Sequence, residues 1–322
     1  MSLKSHKVSK KCKKCLNCGN FCDKINAYTF LSEIIMKISN LLNQNKPKIS
    51  MEVFPPKTWD AYESVRGATE EIAKLSPSYM SVTYGAGGGT SETTVSIAAN
   101  IQNKFGVPTL AHLTCLSSNK EKIHSQLELL KSQGIENILA LRGDVPADFD
   151  RSALTYHYAY ELIDEIKRAG DFCIGGACYP EGHPEAPSFS EDINHLKEKV
   201  DAGCDFLTTQ MFFDNDVLYN FMYRIREAGI SVPVVAGIMP VTNPKSIKRT
   251  CAISGTALPA RFLRIVDKYG DDPEALKQAG IAYATEQIID LYANGVNNVH
   301  IYCMNKPDVA KKIMDNISEI IR

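Results

Sequence analysis

Eight short β-branched runs, starting roughly 30 residues apart and separated by stretches of helical apolar spacing, predict an α/β fold, a closed parallel (β/α)8 barrel of the TIM type. Two further observations support it. The runs are apolar enough to be buried on both faces, as strands of a parallel sheet are. Several intervening stretches end in glycine just before the next run, at Gly134, Gly170, Gly203, Gly229 and Gly295, where helix C-caps belong. The strands are expected at Ile49–Phe54, Tyr79–Thr83, Thr109–Leu113, Ile138–Arg142, Phe172–Ala177, Phe206–Gln210, Val234–Ile238 and Val299–Tyr302. Each of the first seven is followed by an amphipathic stretch, such as Ile123-His-Ser-Gln-Leu127-Glu-Leu129-Leu130. The longer interval from Pro240 to Asn298 requires extra helices, expected over Pro273–Gln278 and Ile281–Ala293. Ahead of the barrel, residues 24–45 carry Leu31, Ile34, Ile35, Ile38, Leu41 and Leu42 at helical spacing and predict a helix covering its bottom or side. The expected organisation is a basic, Cys-rich extension over 1–24 and one barrel domain over 25–322.

Composition narrows the class. Of 322 residues, 44% are apolar and 23% charged, which describes a soluble globular chain. Lys and Arg number 36 against 37 Asp and Glu, a balance unlike the basic footprint of a general nucleic-acid binder. No apolar run approaches the roughly 20 residues of a membrane span. Met1–Lys14 is rich in Lys and Ser and lacks the apolar centre of a secretory signal, so a cytoplasmic address is expected.

Thiols stay reduced there unless they hold metal or do redox work. Cys12, Cys15, Cys18 and Cys22 spell C-x2-C-x2-C-x3-C, a spacing at which four thiolates can converge on zinc or on an iron–sulfur cluster. The run matches the bacterial ferredoxin spacing, but no Pro follows Cys22 and there is no second run, so the choice of metal stays open. The alternative is a basic tail of free thiols. The other six cysteines need only be core or loop thiols.

In a barrel of this kind the chemistry sits at the C-terminal ends of the strands. Those ends carry Glu52, Thr83-Tyr84, His112, Arg142-Gly-Asp144, Tyr179 and Gln210, groups that an ordinary core would not bury without partners. Glu52, flanked by apolar residues in Met51-Glu-Val-Phe-Pro-Pro56, is a candidate general acid because desolvation favours the neutral carboxyl. The bland alternative is an ion pair, for instance with Arg142. Gly143 would let the chain turn sharply off the fourth strand and bring Arg142 and Asp144 toward one centre, unless Asp144 merely caps a helix. Gly85-Ala-Gly-Gly-Gly-Thr90 lacks the ending of a Walker loop and leaves a glycine turn or plain loop. His183, in the proline-limited loop Tyr179–Glu185, and His112 suit a ring system or phosphate better than zinc.

In order along the chain, Glu52-Val-Phe-Pro-Pro56, Ser81-Val-Thr-Tyr-Gly-Ala86, Ala111-His-Leu-Thr-Cys115, Ala140-Leu-Arg-Gly-Asp144, Tyr179-Pro-Glu-Gly-His-Pro-Glu-Ala186, Lys199-Val-Asp-Ala-Gly203 and Thr209-Gln-Met-Phe-Phe-Asp214 closely resemble the methylenetetrahydrofolate reductase family in its short bacterial form. The resemblance runs from about Ile49 to the end, includes Gly237-Ile-Met-Pro-Val241 and His300-Ile-Tyr302, and leaves the tail outside. It implies a barrel holding FAD that passes hydride from NADH or another donor to methylenetetrahydrofolate, giving 5-methyltetrahydrofolate. By position Glu52 matches the family's general acid, which protonates folate N5, and Asp144 the carboxylate near folate and flavin. Thr83 and Gln210 match contacts to nicotinamide or pterin. Tyr84, Ala86, His112, Arg142, Gly143, Tyr158, Ala159, Tyr179, His183, Ala186, Asp192 and Lys199 match flavin contacts. His195 stands where enterobacterial members have Asn in the flavin site. Asn243-Pro-Lys-Ser246 to Thr250 lacks the Gln and Phe placed over substrate there, and Lys306 replaces an Arg at the folate end. Ser246 and Lys306 are therefore the candidate substrate contacts of this segment, and the electron donor is the least constrained feature.

The competing expectation is a barrel subunit of an electron-transfer complex, fed through a metal-bearing tail or a protein partner, and homo-oligomerisation is compatible with either. A lyase or aldolase would want a Schiff-base Lys inside a strand, and none of the expected strands contains one.

Overall fold

Sequence periodicity becomes geometry at β1 (Lys48–Val53), β2 (Tyr79–Val82), β3 (Thr109–Thr114), β4 (Asn137–Leu141), β5 (Cys173–Cys178), β6 (Phe206–Thr209), β7 (Val234–Ile238) and β8 (Asn298–Ile301). The computed structural model describes residues 37–56, 58–84, 91–116, 118–144 and 154–322. All eight strands pair in parallel with their chain neighbours, and β1 pairs with β8, so the barrel closes. Each expected strand matches an observed one with ends displaced by about one residue, the ordinary uncertainty of a boundary.

The helices among the described residues are α1 (Ile38–Leu42), α2 (Tyr62–Ala73), α3 (Ser91–Phe105), α4 (Lys120–Ser132), α5 (Ala159–Ala169), α6 (Phe189–Asp201), α7 (Asn215–Glu227), α8 (Pro244–Ser254), α9 (Ala260–Tyr269), α10 (Pro273–Ala293) and α11 (Pro307–Ile317). Their apolar faces pack on the outward residues of the strands in one large cluster that includes Ile72, Ile101, Leu127, Ile166, Leu218 and Ile288. Side-chain caps fix several starts: Asn119, Ser188, Asp214, Asn243 and Asp272 each accept a backbone N–H of the first turn. Among the described residues no helix is long and apolar enough to cross a membrane.

Inward-facing residues of the strands fill the lower barrel, as period-two alternation demands. Tyr79, Leu110, Leu139, Cys173, Phe206 and Val235 form one buried layer, and Ile38 and Leu42 of α1 complete it from below. Burying each of those two side chains contributes about 2 kcal/mol. The plug is also pinned by polar contacts. Ile38 N–H donates to Asn137 Oδ1 at 2.9 Å, and Asn298 Nδ2 donates to the Leu42 carbonyl at 3.2 Å. Of the expected bottom-covering helix, the described residues contain the C-terminal end. It stops at Leu42, before the expected 45, where Asn43-Gln-Asn45 and then Pro47 favour a turn. Residues 24–36 lie outside the described residues.

The long interval before β8 departs from expectation in one respect. Pro273–Gln278 and Ile281–Ala293 are not two helices but the single helix α10. Gly280, between the two stretches, is a site of close approach: a Cβ there would lie 1.8 Å from the Val241 carbonyl oxygen. Two more helices, α8 and α9, fill the interval and bury Ile247, Cys251, Phe262 and Val266 against Met211, Phe213 and Val241. Of the expected glycine caps, Gly134, Gly203, Gly229 and Gly295 do take positive φ, whereas Gly170 is extended at φ 166° and gains nothing from being glycine on that ground.

Gly280→Ala is expected to destabilise by about 3 kcal/mol or more, because the obstructing atom is backbone and cannot swing aside. Gly67→Ala, where a Cβ meets nothing within 4 Å in the middle of α2, is expected to stabilise by about 0.5–1 kcal/mol. Thermal unfolding of the two variants side by side checks the pair; equal melting temperatures would contradict the close-approach account.

Candidate active site

The strand-end residues assemble in two connected settings, the mouth of the barrel and a cavity beside it. In the mouth, Glu52 leaves β1 with its carboxyl 18% exposed, and its Oε2 lies 3.7 Å from His112 Nε2 on β3 and 3.9 Å from His300 Nε2 on β8. Both imidazoles are buried. The Ser50 hydroxyl donates to the Val299 carbonyl at 3.1 Å, so at 2.7 Å it accepts from His300 Nδ1. On the other side of the ring Nε2 lies 3.1 Å from the Ser81 hydroxyl. The ring is stacked on Tyr79 at 5.9 Å and meets the edge of Tyr302 at 5.4 Å. Tyr302 in turn donates to the Thr209 carbonyl at 2.6 Å.

His112 differs. Its Nε2 is buried and makes no hydrogen bond, an arrangement that costs about 1–3 kcal/mol and is tolerated where a group has other work. Burial pushes its imidazole down to about 4; the nearby Glu52 charge pulls the other way without winning, and His300 adds to the depression. At neutral pH His112 is uncharged. The notion of Glu52 as glue for Arg142 does not hold, because Arg142 makes a two-point pair with Glu185 at 3.0 and 2.8 Å.

That pair borders the second setting, a cavity of about 530 Å³ between the loops that follow β4 and β5 and the starts of α5 and α6. Arg142, Gly143, Asp144, Tyr158, Ala159, Tyr179, His183, Ala186, Asp192, His195 and Lys199 all line it. Gly143 turns the chain at φ +93°, with a Cβ position only 3.1 Å from Leu116 Cβ, as the sharp turn off the strand requires. Tyr158 stacks between Tyr160 at 5.8 Å and His195 at 5.6 Å, giving a flat aromatic wall. His183 sits edge-on to Tyr179 at 4.6 Å and accepts the Glu185 N–H on Nδ1 at 3.1 Å. Burial lowers its basicity, the Asp192 carboxylate opposing. Lys199 donates to the Ala177 carbonyl at 2.9 Å, and burial lowers its basicity as well. Burial raises the Tyr179 hydroxyl to about 12.

Other expected residues lie elsewhere. Thr83 and Tyr84 follow β2, where the Thr83 carbonyl accepts from Thr94 at 3.0 Å and Tyr84 Oη accepts from Gln126 at 2.8 Å. Gln210 ends β6, bonding through its backbone N–H to the Cys178 carbonyl at 2.7 Å. The Ser246 hydroxyl is spent inside the first turn of α8, on the Asn243 carbonyl at 3.1 Å, and Lys306 Nζ lies 2.5 Å from Thr242 Oγ1. None of these five lines the cavity. Ala86, the Gly85–Thr90 stretch and Cys12, Cys15, Cys18 and Cys22 fall outside the described residues. Among the described residues no cluster of three His, Cys, Asp or Glu could hold a metal ion, and all six barrel cysteines are free and buried. Sequence reasoning did not place His300, Ser50, Ser81 or Glu185 in the site. Period-two counting back from the ends of β1, β2 and β8 would have turned the first three inward.

A parallel β/α barrel whose mouth gathers an acid and two imidazoles, beside a cavity with an aromatic wall, has the layout of the barrel enzymes, which act at the C-terminal face. A family model described as methylenetetrahydrofolate reductase matches residues 37–318, and the chain belongs to that family. It is 36% identical over 302 residues to methylenetetrahydrofolate reductase (NADH) 1 of Arabidopsis thaliana, covering 89% of this chain and 51% of that protein. Against 5,10-methylenetetrahydrofolate reductase of Escherichia coli it is 34% identical over 270 residues, 84% of this chain and 90% of the other. The chain thus spans about half the length of the plant relatives and nearly all of the bacterial one. A solved Clostridium thermocellum protein, described as binding two copies of 5-methyl-5,6,7,8-tetrahydrofolic acid, shares the fold with a TM-score of 0.63 at 14% identity, covering 87% of this chain and 98% of that one.

His112 makes stability depend on acid. Its folded value lies below the ordinary 6.5, so the stabilisation of the neutral ring is complete above pH 6.5 and is lost as pH falls toward 4. Between pH 7 and pH 4.5 the wild-type protein should lose about 2–3 kcal/mol that His112→Gln does not lose. Urea unfolding at the two pH values measures the difference, and parallel losses in both proteins would exclude His112 as the source.

Proposed function

We propose that the chain reduces 5,10-methylenetetrahydrofolate to 5-methyltetrahydrofolate, with FAD carrying the hydride and a nicotinamide as the electron donor. The observation that carries this reading is the Glu52 carboxyl, held in the barrel mouth against two imidazoles, at the residue that the motif resemblance matches to the family's general acid. A folate bridge opens to an electrophile when N5 is protonated, and a partly desolvated carboxyl is suited to deliver that proton. Neutral His112 leaves the neighbourhood without a competing cation, and His300, saturated by Ser50 and Ser81, cannot swing away.

The cavity residues fit FAD. Tyr158 and His195 offer ring faces for a planar group, and Arg142, Lys199 and His183 bring donors suited to a diphosphate. Bound there, FAD would supply the hydride chemistry that no side chain can. Arg142 would hold a phosphate oxygen only by exchanging it against Glu185. Asp144 stands on the cavity rim after Gly143, with its side chain exposed beside the site.

Glu52→Gln should retain FAD and its reduction by NADH while folate reduction falls by about a thousandfold, within the usual range for losing a proton donor. Anaerobic stopped-flow absorbance separates the two half-reactions, and undiminished folate turnover would remove Glu52 from the role. Arg142→Ala should weaken FAD binding about tenfold or more, read by titrating apoprotein and following flavin fluorescence. Wild-type affinity in that variant would place the diphosphate elsewhere.

A further inference from the structure

The backbone around Glu52 is held by β8 and by the turn that follows it. On the β2 side ladder pairing holds β1 as far as Val53, but on the β8 side it ends at Met51, which faces Ile301 at the end of β8. Past that point side chains continue what the backbone no longer does. The Cys303 thiol donates to the Glu52 carbonyl at 3.0 Å, and burial, raising that thiol to about 12, keeps it a donor. Asn305 then binds both polar atoms of Phe54: Nδ2 donates to the carbonyl at 2.9 Å and Oδ1 accepts the N–H at 3.0 Å. A carboxamide presents the same donor and acceptor as a peptide group, so Asn305 acts as one more rung of the β1–β8 ladder. The chain beyond Phe54 offers no further N–H, because Pro55 and Pro56 follow.

The turn that delivers this rung is strained. Met304 and Asn305 are consecutive non-glycine residues in the left-handed region, at φ +54° and +53°. Such residues cost about 1–2 kcal/mol each, less for Asn, and persist where the surroundings require them. Among the described residues the only other non-glycine positive φ is Ser76, just after α2. The strain is thus concentrated three and four residues past the β8 end, beside the candidate acid.

We propose that Asn305 is a positioning residue for Glu52: its carboxamide locks the Phe54 peptide, and so fixes the direction in which the Glu52 side chain leaves β1. The proposal rests on Glu52 as proton donor to the folate. A displacement of about 1 Å in such a group can lower a rate about a hundredfold.

Asn305→Gly tests it, because glycine relieves the left-handed strain while removing the rung. The expected result is an unchanged or higher melting temperature, wild-type reduction of bound flavin by NADH, and reoxidation of reduced enzyme by methylenetetrahydrofolate slowed tenfold or more. Its KM should stay within twofold. Deuterium exchange at the Phe54 amide, followed in the peptide that contains it, should quicken tenfold or more. Should the glycine variant fail to fold, Asn305→Asp, which can accept from Phe54 but not donate to it, is read the same way. A wild-type folate step overturns the proposal, and so does unchanged Phe54 exchange. If Glu52→Gln retains folate reduction, the proton-donor reading fails, and the Phe54 exchange then decides separately whether Asn305 holds that peptide.

Discussion

One carboxyl and two imidazoles share the mouth of a closed barrel, within 4 Å of one another through Glu52 Oε2. Charge in such a place is poorly screened, with the carboxyl only 18% exposed and both imidazoles buried. His300 is tied into hydroxyls on both nitrogens, and His112 is kept uncharged by burial. Below them the Tyr79 ring and an apolar layer closed by Ile38 and Leu42 seal the interior. The plug under the barrel and the acid at its top are therefore parts of one arrangement.

Most of the scaffold was legible in the sequence because a strand buried on both faces writes itself as a short apolar run, and a capped helix marks its own end. The two helical stretches expected before β8 are one, because Ala279 and Gly280 continue the helix and Gly280 admits a neighbouring carbonyl. The site was legible residue by residue but not in its pairings. Glu52, His112 and Arg142 all stood out at strand ends. That Glu52 faces imidazoles rather than Arg142 depends on His300, far along the chain, and on Glu185, in a loop 43 residues beyond Arg142. Local pattern carries no information about such separations. Ser50 and Ser81, the hydroxyls that hold the His300 ring on both nitrogens, look like ordinary small residues until the barrel closes.

The departures expected from the motif resemblance fall at His195 and in the segment after β7. His195 joins Tyr158 in the aromatic wall, a ring where an amide was the comparison, so the substitution enlarges a flat surface rather than deleting a contact. Ser246 and Lys306 are spent on neighbouring chain atoms, Asn243 and Thr242. The segment after β7 is thus organised for its own helix, and two added helices, α8 and α9, stand where the barrel rhythm alone would have placed one.

The Arg142–Glu185 pair has a consequence for any anion that enters the cavity. The guanidinium already has a carboxylate counterion, two-pronged and supplied by the protein itself. Arrival of an anionic ligand is then ion exchange rather than simple neutralisation: one carboxylate leaves Arg142 as another anion comes. Little net Coulomb energy is gained in such a swap, so affinity must come chiefly from ring contact along Tyr158 and His195. The loops after β4 and β5 are bridged by that pair in the meantime, which holds the cavity's shape ready before anything occupies it.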